Sequence, residues 1–170
     1  ACRRRAPRAP RDLTPEMTER SIRLFGDPVL RSMCDPIVPG DPRASALVDD
    51  LLETVRIPGR AGLAANQIGV SLRAFSYNVD GEVGYIINPE LVEVSGDLEI
   101  VDEGCLSVPG FFFPRERYPY ARVQGVDLAG EIVELEGARV AVRLFLDEDD
   151  VYKADDAARR QIQKLGDDLA

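Results

Sequence analysis

The segment EGCLSVPG, Glu103 to Gly110, places a thiol at the end of an acidic run and ahead of a proline. A thiol in such a position has three uses. Deprotonated, it can ligate a metal; beside a base, it can attack a carbonyl; protonated and buried, it packs as a small apolar group. Nucleophilic attack by Cys105 would need Asp102 or Glu103 as its base, because the 170 residues contain no histidine. A tight metal site would need further donors besides one thiolate. The other two cysteines, Cys2 and Cys34, lie far away in sequence and form no CxxC pair, so neither a disulfide framework nor a zinc ribbon is indicated.

The elements that must position this thiol are legible in outline. GDPRASALVDDLLETVR predicts a helix from Asp41 to Val55. Asp41 caps it, Pro42 suits its first turn, and Ala44, Leu47, Val48, Leu51, Leu52 and Val55 recur at steps of three and four. IPGRAG then breaks the helix. RAFSYNV and EVGYIINPELVEV flank Asp80-Gly81, a hairpin signal. LEIVDEG leads into Cys105, and ARVQGVDL ends at Ala129-Gly130. In EGARVAVRLFLDED the apolar residues Val140, Val142, Leu144 and Leu146 alternate. That predicts an extended segment over 138–146, turning at Gly137 to form a hairpin with EIVELE. The tail KADDAARRQIQKLGDD reads as a surface helix. Strands in series between two helices indicate an α+β domain.

Composition bounds the function. Forty-five per cent hydrophobic and 30% charged residues suit a globular protein, and the length suits one domain. Five arginines against Asp12 and Glu16 give residues 1–16 a net +3, which leaves −12 of the total −9 on the rest. An acidic body disfavours nucleic-acid binding, since phosphate contact needs cationic surface. No apolar run has the length of a membrane span. The arginine- and proline-rich opening reads as a disordered basic leader over 1–16, with Met17 as a natural start and one domain over 17–170; a transit peptide and a nucleic-acid arm are the competing readings. Few, scattered cysteines fit a reducing cytoplasm.

GLAANQIG (Gly62 to Gly69) and EGCLS (Glu103 to Ser107), taken together, resemble two of the three signature motifs of peptide deformylases. IRLFGDPVLR is similar to that family's opening strand and turn, and INPEL to the strand between its motifs. The similarity runs over roughly residues 21–137. It implies an α+β fold of antiparallel sheets with an N-terminal helix. It also implies an activity: a metal, typically iron, zinc or nickel, activates water to remove the formyl group from the N-terminal methionine of a nascent peptide. By the resemblance, Cys105 is the thiolate ligand, and Gln67 with the backbone N–H of Leu106 faces the developing oxyanion. Gly62 lets the substrate chain pass close to the backbone.

The family's third motif, HExxH, supplies two more ligands and a general acid/base from a central helix. The family places it between an ELEG strand and an LFLD-like segment. Here Gly137 is followed by only ARVAVR before Leu144, so the helix is expected to be missing or replaced by a strand. Carboxylates do not rebuild the pattern. The flanking positions are Asp147 and Val151 around Glu148, Gly130 and Glu134 around Glu131, and Leu135 and Arg139 around Glu136. The acidic run DEDD, Asp147 to Asp150, reads as a solvated loop. A further departure is Arg60, where the family usually has glycine; a cation there would narrow or recharge the substrate groove.

Each residue has a plainer reading. Gln67 could simply bond loop backbone, Gly62 and Gly104 could serve turns, Phe111 to Phe113 could be core or interface, and Arg115 and Arg117 could be surface charges. The expectation is a deformylase-like chain that binds no metal cofactor, is catalytically inactive, and has N-terminal peptide segments as partners, with no nucleic acid and no membrane. Two alternatives remain: a working deformylase whose sequence lacks a segment, and a Cys105-dependent hydrolase.

Overall fold

The computed structural model describes residues 19–38 and 40–138. The helix α1, Pro42–Val55, begins where the sequence indicates. The Asp41 carboxylate accepts the backbone N–H of Arg43 at 2.9 Å, and proline occupies the first turn. Its apolar stripe is buried as Ala44, Leu47, Val48, Leu51 and Val55.

Seven strands follow: β1 (Gly62–Ala64), β2 (Ala74–Val79), β3 (Glu82–Ser95), β4 (Glu99–Cys105), β5 (Val108–Arg117), β6 (Tyr120–Val126) and β7 (Ile132–Ala138). Five of them form one antiparallel sheet in the order β1-β2-β3-β6-β7. β4 and β5 pair separately as a hairpin. The sheet therefore has β1 at one edge. Asp80 and Gly81, both with positive φ (53° and 86°), make the predicted turn between β2 and β3.

Alternation on β2 and β3 divides the sheet's contacts between two faces. Ala74 and Ile87 pack with the α1 stripe and with Leu63, Ala65 and Ile68 in the main core. Buried Ser76 lies on the same face and donates to the Leu51 carbonyl of α1 at 3.0 Å. Phe75 and Ile86 point the other way, where they meet Val123 in a second cluster bordered by Val133 and Leu135. β6 crosses β3 closely at Gly125, where an added Cβ would strike Ile87 O at 2.5 Å and the Ile86 side chain. Backbone proximity, not turn formation, makes glycine necessary there.

Asn88 supplies a link that the sequence pattern does not announce. Its φ is 49°, at a register shift in the β3–β6 ladder ahead of Pro89. From there its side chain accepts the Ile37 N–H at 2.8 Å and donates to the Ile37 carbonyl at 2.8 Å. One amide side chain thus replaces a strand partner and ties the segment before α1 to the sheet.

The α+β class and the antiparallel sheets with one helix ahead of them agree with expectation. IVELE forms part of β7, whose described partner is β6, and the strand runs on through Gly137, paired with Ala121, so the turn expected at Gly137 is not there: the β6 ladder holds that glycine extended. Ala138 ends that strand. The rest of the predicted 138–146 extension, the tail helix, the 1–16 leader and the place expected for an HExxH helix lie outside the described residues. Among the described residues, no helix is long and apolar enough to cross a membrane.

Candidate functional site

Edge strand β1 runs directly into a 3-10 turn, Ala65–Ile68, which closes at Gly69 with φ 88°. This tight reversal turns Gln67 back on its own segment, so that its Oε1 accepts the Ala64 N–H at 3.0 Å. From the other direction, β4 delivers Cys105 to the end of the β4–β5 hairpin. Leu106 and Ser107 form its turn, and Cys105 pairs with Val108 across a register shift. The two turns meet. Gln67 Nε2 donates to Ser107 Oγ at 3.2 Å and lies 3.9 Å from Cys105 Sγ, across a sequence separation of 38 residues.

A third segment fastens this meeting point. The Arg23 N–H donates to the Gln67 carbonyl at 2.7 Å, and the Phe25 N–H donates to the Ser107 carbonyl at 2.8 Å. Two residues of one short segment thus hold both turns in fixed relation. Phe25 also packs with Val108, Cys105 and Phe111, while the Leu106 side chain reaches the main core. In the sequence, IRLFGDPVLR is legible only as a likeness, and Ser107 has no assigned part. The available signal was the serine itself, a small hydroxyl in a turn beside the thiol.

The acids near Cys105 are placed unequally. In the β4–β5 pairing, Asp102 lies opposite Pro114 and Glu103 opposite Phe113, so the two side chains leave the hairpin on opposite faces. Asp102 is exposed. Glu103 shares the Cys105 face, but both its oxygens are taken by Arg117 Nε and Nη2, each at 2.8 Å. Its oxygens are thus committed to Arg117 and not to the Cys105 thiol. Arg117, read in its plainer sense as surface, is instead a largely buried structural partner.

A family profile described as "Polypeptide deformylase" matches residues 19–155. A peptide deformylase of Acidothermus cellulolyticus is 46% identical over 134 residues, covering 79% of this chain and 74% of that protein. Peptide deformylase 2 of Streptomyces coelicolor is 38% identical over 156 residues, covering 86% and 87%. Among solved structures, the peptide deformylase of Thermotoga maritima superposes with a TM-score of 0.68 at 36% identity, covering 79% of this chain and 91% of that one. The peptide deformylase of Legionella pneumophila gives 0.71 at 30% identity, covering 88% and 96%. This chain belongs to the peptide deformylase family.

Within that family the metal has a clear requirement, which these residues do not meet. A catalytic transition metal is held by about three protein ligands with one position left for water. The chain has no histidine. Among the described residues no group of three or more His, Cys, Asp or Glu side chains could hold a metal ion. The polar side chain beside the Cys105 thiol is that of Gln67, which is not an anionic donor. Among the described residues, the donor set around Cys105 therefore does not fit a metal held by three protein ligands.

The remaining deformylase-type positions are placed as follows. Gly62 lies on the edge strand, where an added Cβ would approach Ser76 O at only 3.6 Å, an ordinary contact. Its freedom is thus not demanded by packing inside the sheet. Arg60 is 14% exposed at its side chain. Its guanidinium donates to the Thr54 carbonyl near the end of α1 and to Glu19, both at 2.9 Å. There it satisfies a helix-terminal carbonyl and tethers the chain ahead of the Arg23–Phe25 segment.

Proposed function

We propose that these 170 residues retain the deformylase family's place for the N-terminal end of a peptide and carry out no deformylation. The supporting observation is the donor set around Cys105: one thiol, no histidine, and a neighbouring glutamate already paired with Arg117. A metal held by one thiolate exchanges freely, and no glutamate stands between two ligands to relay protons to a bound water. Donors of the oxyanion type, Gln67 and the Leu106 N–H, stabilise charge only after a nucleophile has arrived.

The binding half of the reading rests on the sheet edge. Among the described residues, β1 has a strand partner on one side only, β2. An extended peptide can add to such an edge through backbone hydrogen bonds. Gly62 on that strand leaves room for close approach, and Arg60 sits at its entrance with its charge directed to α1 and Glu19. The partner is accordingly a peptide N-terminus in a cytoplasmic setting, and neither nucleic acid nor membrane.

The test is formate release from a formyl-Met peptide under anaerobic conditions with iron, nickel, cobalt or zinc supplied in turn. No turnover is expected. A parallel variant carries an HExxH-bearing helix inserted after Gly137, and activity there alone would show that the first two motifs remain competent. Metal-dependent turnover by the unmodified chain, abolished by Cys105→Ala, would overturn the proposal.

The 46% identity to the Acidothermus deformylase favours a second reading. In it, the functional protein carries a segment between Gly137 and Leu144 that is missing from this sequence. Sequencing the locus between those two codons separates the readings.

A further inference from the structure

We infer that Ser107 is a positioning residue for Gln67, fixing its amide so that one N–H is presented on the Cys105 side. The inference rests on the peptide-binding reading above and deepens it. A glutamine side chain has one carbonyl oxygen and two N–H donors, and its end rotates freely unless its contacts tell oxygen from nitrogen. Here they do. The Ala64 N–H can only donate, so it selects Oε1, at 3.0 Å. Ser107 Oγ takes an N–H of Nε2 at 3.2 Å. The other contact of Nε2 is Cys105 Sγ at 3.9 Å. That is long for an N–H···S contact and readily exchanged for a carbonyl oxygen, the stronger acceptor.

Ser107 is suited to the task because it is itself fixed. It is 5% exposed, and its carbonyl is held by the Phe25 N–H at 2.8 Å. A buried hydroxyl without its bond would carry the cost of lost hydration, so the Gln67–Ser107 contact is favoured over rotation of either group. The Gln67 backbone is fixed in turn by Arg23 at 2.7 Å. Both ends of the bond are thus anchored by the same segment, Arg23 to Phe25. An acyl oxygen arriving beside Cys105 meets a donor that is already aimed, and an N-terminal amine, itself a donor, does not profit from it.

Two measurements on the full chain test this. The first is the hydrogen-exchange rate of the Gln67 side-chain amide, followed by nitrogen-15 NMR. Ser107→Ala should raise that rate about tenfold and Ser107→Thr should restore protection, as expected when one modest hydrogen bond is lost and regained. The second is affinity for a formyl-Met-Ala-Ser peptide relative to the same peptide with a free amine. Ser107→Ala should reduce that preference roughly 3- to 10-fold, Gln67→Ala should do the same, and the double variant should lose no more than either. Equal weakening of both peptides, or unchanged Gln67 exchange in Ser107→Ala, would overturn the inference. If the unmodified chain binds neither peptide, the peptide-binding reading fails, and the exchange measurement alone decides the role of Ser107.

Discussion

The α1-and-sheet body and the β4–β5 hairpin are held by different physics. In the body, α1 and four strands of the sheet contribute side chains with no exposed surface at all, among them Leu51, Val55, Leu63, Ser76, Ile86 and Val123. The hairpin turns one face outward. Ile100 is 75% exposed and Phe112 66% exposed on that face, with Asp102, Pro114 and Glu116 around them. Its other face is pinned by directional contacts: Glu103 to Arg117 ties β4 to β5 within the hairpin, while Ser107 to Gln67 and the Phe25 N–H to the Ser107 carbonyl join it to the rest of the molecule, beside the apolar contacts of Leu106 and Val108. Burial is tolerant of small shifts, because it depends on area. Hydrogen bonds and bidentate ion pairs depend on geometry and hold a turn to a fraction of an ångström. Cys105 stands on the second kind of support, as a group meant for chemistry or recognition must.

The largest effect should come from the body. Leu51→Ala removes a fully buried side chain between α1 and the sheet. It is expected to cost about 3–5 kcal/mol in denaturant-induced unfolding, through lost transfer energy and the cavity left behind. The same change at Ile100 on the outward hairpin face should cost under about 1 kcal/mol. Similar losses at the two positions would mean that the hairpin face is covered and that the contrast is wrong.

Asn88→Ala comes next. It deletes both bonds to Ile37 and leaves a backbone N–H and carbonyl to find water. Alanine also fits the left-handed backbone at φ 49° less well than asparagine. A loss of about 2–3 kcal/mol is expected. Asn88→Gly, which relieves the backbone but not the bonds, should recover only a minor part. Full recovery by glycine would assign the effect to strain instead of the clamp.

How far the sequence announces these features follows the same division. The α1 stripe, the Asp41 cap and the Asp80-Gly81 turn are legible because each is written in adjacent residues with a single physical meaning. The β4 approach to Cys105 is legible for the same reason. The pairing of Gln67 with Cys105 is visible only through likeness to the family, since no local rule brings together residues 38 apart. Asn88 lies unremarked inside the EVGYIINPELVEV strand until Ile37, 51 positions away, is seen to occupy its side chain. Arg60 reads as a groove cation because it stands two residues before Gly62. In the fold, the Thr54 carbonyl and Glu19 claim its guanidinium. Glu103 carries no mark in the sequence that distinguishes it from Asp102, and only strand alternation separates their roles. Local pattern encodes the buried face; long-range polar partners require the topology.

On the hairpin itself, Arg117→Ala leaves Glu103 without its bidentate partner in a site where both side chains are under one-fifth exposed. A global loss of about 1–3 kcal/mol is expected, between the values for exposed and fully buried pairs. The local effect is more informative. Cys105 lies two residues from Glu103 on the same strand face. Loosening β4 from β5 should raise the alkylation rate of Cys105 well beyond any change at Cys34, whose thiol is pushed up from its ordinary pKa chiefly by burial and also by Asp35. Equal acceleration at both thiols would indicate general unfolding and no separate support for the hairpin.

The smallest effect belongs to the body's surface and concerns Asp41. Its carboxylate bonds the Arg43 guanidinium at 2.7 and 3.0 Å and the Arg43 backbone N–H at 2.9 Å. These contacts lower its pKa from 3.8 to about 2, the side-chain bond being the largest cause. A carboxyl whose pKa is depressed by folding binds its proton less readily in the native state. The stability that it contributes is therefore fully present above the unfolded value and is lost as pH falls through the folded one. The window runs from about pH 4 down to about pH 2. Asp41→Asn isolates the charge, since asparagine still caps the helix by accepting the Arg43 N–H but does not titrate. The native chain should melt slightly higher than Asp41→Asn from pH 5 upward, and the gap should close between pH 4 and 2. Other carboxylates will lower both melting curves together, so only the difference between the two proteins reports on Asp41. A gap that persists unchanged to pH 2 would show that the Arg43 contact contributes nothing through charge, leaving the cap alone to start α1.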